Sequence, residues 1–183
     1  MAIYYGFYEN ARSLQKPLIK PNSILRTMKL TIRKESDPIL RKKNGKISDP
    51  LSQEIQTLIT DMFETMRAEN GVGLAAPQVG KNVRLCVIEE GGIEYVLINP
   101  TITATSKTKV VSEEGCLSFP GQFFPIKRFE KVQVRYLDRS GKNAKLKATD
   151  LLARALQHEI DHLDGVLIID HISKKSKAIS KKS

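Results

Sequence analysis

The residues with the clearest chemistry are Gln157-His158-Glu159-Ile160-Asp161-His162. Histidines four apart on a helix project from one face, so both imidazoles can reach one ion. Glu159 follows the first histidine and can reach the same pocket. This H-E-x-x-H pattern offers two metal ligands and a carboxylate that handles the proton of an attacking water. A catalytic centre of the zinc type needs three protein ligands and one open position, so a third ligand must come from elsewhere. Downstream, Gly165 fits a longer form of the pattern, but Ile168 stands where that form wants a histidine, and no glutamate follows Glu159. Asp170 and His171 remain. Upstream lies Cys116, in Glu113-Glu114-Gly115-Cys116-Leu117-Ser118. A thiolate is a strong ligand for Zn, Fe or Co ions.

With Cys116 as third ligand, the thiolate donates charge and leaves the ion a weaker Lewis acid than an all-nitrogen set would. Added donors for a developing oxyanion then matter, and two are at hand: the side-chain amide of Gln78 and the backbone N–H of Leu117. Glu159 would accept a proton from water and pass it to a leaving amine. The reaction class is hydrolysis of an amide-like carbonyl.

These residues need elements to position them. Asp49-Pro50 reads as a helix start, with an Asp cap and Pro at the first helical position. Apolar residues follow at Leu51, Ile55, Leu58, Ile59, Met62 and Met66, one buried stripe that Asn70-Gly71 closes. The stretch Gly71–Gly80 has little side-chain bulk and lets a ligand or strand lie against its backbone. It lacks the Lys-Ser/Thr pair of a phosphate loop. Strands are expected over Leu30–Ile32, Val83–Glu89 and Tyr95–Ile98, with Cys86 an ordinary core residue, and Thr101–Val111 alternates loosely on its way into the Cys116 segment. Lys131–Leu137 and Ala144–Ala148 flank the hairpin signal Asp138-Arg139-Ser140-Gly141-Lys142. Asp150 is expected to cap the H-E-x-x-H helix and Gly165 to end it. The sum is an α+β domain: antiparallel or mixed β-sheets packed around a central helix that carries the motif, plus one N-terminal amphipathic helix.

The chain has 183 residues, 40% hydrophobic and 27% charged, enough for one domain with its own core. No apolar run is long enough to span a membrane, and the first residues lack an apolar signal core. Cys86 and Cys116 are expected as free thiols in a reducing compartment, the cytoplasm. The net charge of +10 sits mainly at the ends: +3 in residues 1–27 and +5 in 173–183. The body, 28–172, has 21 basic against 19 acidic side chains. That weakens the case for a fold that reads a nucleic-acid sequence. Residues 1–27 read as a poorly ordered extension, with Met28 an alternative start, and 173–183 as a basic tail.

Three segments together resemble peptide deformylase of the bacterial type: Gly71–Gln78 (G-φ-G-φ-A-A-x-Q), Glu114–Ser118 (E-G-C-L-S) and Gln157–His162 (Q-H-E-x-D-H). Their order and spacing agree as well, and the resemblance covers about residues 28–172. It implies that Cys116, His158 and His162 hold the metal, natively Fe(II), with Zn, Ni or Co as substitutes. Glu159 would be the general acid/base, and Gln78 and the Leu117 N–H would polarise the formyl oxygen. The implied reaction removes the N-formyl group from the initiator methionine of nascent peptides and releases formate. Val72, Leu151, Ala155 and the stem of Arg154 would line the methionine pocket, with Gly73 pairing to the peptide backbone. Phe123-Phe124 follows Gln122 where the family commonly has an arginine. The lysine tail would suit contact with the ribosome surface.

Two other classes use parts of the pattern. One is a different metallohydrolase with His171 or Asp170 as third ligand. The other is a closed structural metal site, or an inactive relative, for which neither Glu159 nor Gln78 would be needed. Of the remaining polar groups, His171 reads as a surface or end-of-strand residue. Asp161 and Asp164 are expected to face solvent or to orient the ligating imidazoles.

Overall fold

The computed structural model describes residues 28–172. The expected N-terminal extension and basic tail lie outside the described residues. Two helices, α1 (Gln53–Ala68) and α2 (Asp150–Leu163), pack on opposite faces of one antiparallel sheet. That sheet has the order β1 (Gly73–Ala75), β2 (Leu85–Glu90), β3 (Ile93–Thr105), β6 (Lys131–Leu137) and β7 (Asn143–Thr149). A separate two-stranded ribbon joins β4 (Lys109–Cys116) to β5 (Phe119–Phe129). The α+β expectation is met, with antiparallel pairing between all named strands.

Side-chain alternation explains how one sheet serves two helices. Along β2, Leu85 and Val87 join the α1 side, while Cys86 and Ile88 join the α2 side. Its neighbour β3 repeats this with Val96 and Ile98 against Leu97. A strand covered on both faces carries a continuous apolar run, and Leu85-Cys86-Val87-Ile88 is fully buried. Cys86 is a core residue, as expected, and its burial pushes the thiol well above the usual range. Both cysteines are free. A third apolar cluster, including Leu40, Phe119, Ile126 and Ile168, lies under the ribbon.

Several local expectations need correction. Asp49 does not cap α1: its Oδ1 accepts from Leu51 N at 3.1 Å in a preceding turn, and the helix begins three residues after Pro50, with Ser52 at the cap. Leu51 therefore lies outside the stripe and is exposed. Asn70-Gly71 does close α1, as expected: Asn70 takes the left-handed conformation (φ 55°), and Gly71 N bonds back to Met66 O at 2.8 Å. Thr149, not Asp150, holds the cap position of α2. Among the described residues, Leu30-Thr31-Ile32 joins no sheet: Leu30 and Ile32 pack against the α1 cluster, and Leu30 N donates to Thr65 Oγ1 at 2.8 Å. Gly71–Gly80 is a short strand followed by a 3-10 turn over Ala76–Val79. The β6–β7 hairpin forms as expected, with Asp138 Oδ1 accepting from Ser140 N and Lys142 N.

Gly165 ends α2 for a steric reason. It has φ 76°, and a Cβ there would come within 2.6 Å of Arg41 O. Among the described residues, no helix is long and apolar enough to cross a membrane.

Candidate metal centre

Three elements converge at the C-terminal half of α2. The helix supplies His158, Glu159 and His162 from its buried face, the end of β4 supplies Cys116, and the 3-10 turn after β1 supplies Gln78. The ligating atoms of Cys116, His158 and His162 all lie within 4.8 Å of one another. Cys116 Sγ is 3.3 Å from His162 Nε2. The two imidazole centroids are 4.9 Å apart, edge to face. Asp170 and His171 stand apart from this cluster. Asp170 binds Arg41 and the Leu167 N–H, and His171 Nε2 meets Asp161 Oδ2 at 2.7 Å.

The donors fit a divalent cation. His158 Nδ1 is taken by Glu114 Oε2 at 3.0 Å, which leaves a buried Nε2 with no protein partner among the described residues. Burial holds the His158 pKa down to about 4 and drives His162 well below its usual value, so both rings are neutral and offer lone pairs. Burial pushes the Cys116 thiol up to about 11, helped by the charge of Glu159 and opposed by hydrogen bonds from Ser118. A cation beside it would favour the thiolate, so metal uptake would release a proton. Two neutral imidazoles and a thiolate form a set that Zn or Fe ions accept.

Glu159 is fully buried between the ligands and β1. Burial raises its pKa to about 7, and the nearby charge of Glu114 adds to the rise. A carboxyl poised there can take and return a proton near neutral pH. The space it occupies exists because residue 73 is glycine: a Cβ at Gly73 would stand 2.5 Å from Glu159 Oε1. Gln78 is held by the end of β1, with Oε1 accepting from Ala75 N at 2.8 Å. Its Nε2 therefore faces the centre, 3.5 Å from Cys116 Sγ and 3.3 Å from Ser118 Oγ. Leu117 follows the cysteine and is buried.

Val72, Leu151 and Ala155 belong to one apolar cluster on the α2 side. Arg154 is buried too, but its guanidinium is engaged elsewhere. Nη1 binds Glu114 Oε1 at 2.5 Å and Ile126 O at 3.0 Å, and Nη2 binds Val110 O at 2.9 Å.

Glu114 is the support that sequence reasoning left without a role. It is fully buried and takes His158, Arg154 and Arg128, the last through Nε at 3.0 Å and Nη2 at 3.1 Å. Burial alone would raise its pKa, but the His158 hydrogen bond and the Arg128 guanidinium outweigh it and keep it ionised. Arg128 Nη1 reaches Asp161, which also meets His171. Asp161 thus reaches His158 through Arg128 and Glu114, while Asp164 binds Arg84 at 2.6 Å by the helix end. One signal was available: Glu114 is two residues before Cys116 on a strand, the spacing that puts side chains on one face. Nothing local marks Arg128, whose partners come from distant segments.

A buried Cys/His/His cluster with a carboxylate at its side defines a metal-binding hydrolytic centre as its class. The chain belongs to the polypeptide deformylase family, which it matches over residues 29–178. It is 51% identical over 158 residues to a peptide deformylase of Thermodesulfovibrio yellowstonii, an alignment covering 84% of this chain and 94% of the relative. A crystal structure of peptide deformylase from Thermotoga maritima superposes with TM-score 0.77 at 41% identity, covering 80% of this chain and 99% of that one. One from Synechococcus elongatus, in complex with actinonin, gives TM-score 0.79 at 36% identity, covering 91% and 94%.

Proposed function

We propose that this chain removes the N-formyl group from formyl-methionyl nascent peptides and releases formate. The observation that carries the reading is the meeting of three distant segments at one buried point, with ligating atoms within 4.8 Å and Glu159 alongside. Cys116, His158 and His162 would hold one Fe(II), the ion the family resemblance implies, with Zn, Ni or Co as substitutes. When bound, the ion would polarise the formyl carbonyl and acidify the attacking water.

The chain's own groups do the rest. Glu159 takes a proton from that water as its oxygen bonds to the formyl carbon. It then delivers the proton to the methionine nitrogen as the C–N bond breaks, leaving a free amine and formic acid, which loses its remaining proton to solvent as formate. Gln78 Nε2 and the Leu117 N–H donate to the formyl oxygen as it gains charge. The methionine side chain lies against Val72, Leu151, Ala155 and the stem of Arg154. The peptide backbone runs beside Gly73 at β1, the end strand of the sheet, as an added strand would. Residues 28–172 form the catalytic unit, working in the cytoplasm, and the lysines of 173–183 touch the ribosome surface.

The test is formate release from formyl-Met-Ala-Ser by anaerobically purified, Fe(II)-loaded protein. Rapid release that Cys116→Ser abolishes, together with loss of the bound ion, is the expected result. No release from protein carrying one ion per chain overturns the reading.

A further inference from the structure

The substrate reading above leaves open which peptides are favoured, and the mouth of the site bears on this. The peptide beyond methionine must leave a buried centre. Among the described residues, a cavity of about 250 Å³ touches both Cys116 and Leu117. Its other walls include Lys34, Glu69, Gln122 and Phe123. It offers the residues after methionine a way out of the centre that passes this rim.

Lys34 is strapped in place there. Arg33 N donates to Gln78 O at 2.7 Å, and Glu35 N donates to Ser118 O at 3.1 Å. Lys34 thus spans the two segments that carry the oxyanion donors, and its ammonium donates to Leu117 O at 3.3 Å. The nearby charges are mostly matched. Glu69, on the same rim, is ion-paired with Lys29 at 2.8 Å, and Arg33 with Asp37 at 3.8 Å. Lys34 has no ion pair among the described residues, because its partner is a neutral carbonyl. An ammonium has three N–H donors, so two remain for a ligand.

Resting on the deformylase reading, we propose that Lys34 recognises a side-chain carboxylate in the residues that follow formyl-methionine, and so favours acidic over basic peptides. Lys34 is exposed, so the gain is that of an exposed ion pair, about two- to fivefold in kcat/KM. It should appear in KM rather than kcat and shrink at high salt.

The experiment uses the metal-loaded full chain with formyl-Met-Asp-Ala-amide and formyl-Met-Ala-Asp-amide, their Asn and Lys counterparts, and formyl-Met-Ala-Ser as reference. Expected are a preference for Asp over Asn over Lys at one of the two positions, its reversal in Lys34→Glu, and its retention in Lys34→Arg. The ratio between peptides is the readout, so any disturbance of Leu117 common to all of them cancels. Equal kcat/KM across the series with normal turnover of the reference overturns the Lys34 proposal alone. So does a ratio that Lys34→Glu leaves unmoved, or a gain seen only with a free C-terminal carboxylate. No turnover of any formyl peptide overturns the deformylase reading and this inference together.

Discussion

The two helices make an instructive pair. They are similar in length, 16 and 14 residues, and cover opposite faces of the same strands. Both bury polar side chains, yet they treat them differently. On α1, Asp61 accepts from Met28 N and Thr65 accepts from Leu30 N, so each fastens the incoming chain. On α2, Arg154, Gln157, His158, Glu159 and His162 are all buried, and ring nitrogens of both histidines find no protein partner among the described residues. Buried polar groups are normally satisfied, and His158 Nε2 is an exception beside the Cys116 thiol, whereas in His162 the unpartnered atom is Nδ1 and Nε2 is the one that meets Cys116. The buried polar groups of the first helix fasten the chain, and those of the second gather beside Cys116.

The contrast can be broken most sharply at Glu159. Glu159→Gln keeps the ligands and the shape but removes the proton carrier. Formate release should fall about 10²- to 10⁴-fold, with metal content per chain unchanged. Unaltered turnover would remove Glu159 from the reaction.

The next effect belongs to the other helix. Met62 is fully buried against the sheet. Met62→Ala should lower unfolding stability by about 2–5 kcal/mol in urea titrations, while kcat and metal stoichiometry of the folded fraction stay as they were. A loss of metal without a loss of stability would show that the two faces are not separable.

A third test sharpens the comparison through pH. Glu159 holds its proton up to about pH 7 in the fold, against a usual 4.5. Between those values the metal-free folded state binds more protons than the unfolded state. Stability contributed by the protonated carboxyl is therefore complete below about 4.5 and is lost as pH rises through 7, on the order of 3 kcal/mol in all. Comparing urea midpoints of metal-free wild type and Glu159→Gln across that range should show the wild type alone losing this amount. Parallel curves would place the Glu159 pKa near its ordinary value.

Much of this was legible before any coordinates, because it rests on local spacing. Apolar steps of three and four located the stripe of α1 from Ile55 to Met66, and the Asp138–Lys142 turn located the β6–β7 hairpin. The i, i+4 pair put His158 and His162 on one helix face. Boundaries were less legible where two signals competed. Asp49-Pro50 reads as a cap, yet Asp49 closes its own turn first and Ser52 takes the cap. Leu30–Ile32 alternates like a strand, but α1 offers Thr65 as a partner in place of a strand. The Glu114–Arg128–Asp161 network was not legible, because its members meet only after the ribbon folds over α2. No pattern along the chain encodes a contact between β5 and the helix.

Among the described residues, the ribbon that carries Cys116 pairs strand to strand only with itself. Cys116 and His162, which meet at 3.3 Å, are 46 residues apart in the chain. In the language of polymer loops, bringing two such points together in a free chain costs on the order of 4 kcal/mol. Here the contacts of ribbon and helix perform that closure. A chelator whose donors are gathered by other contacts would spare its ion the entropy of collecting them.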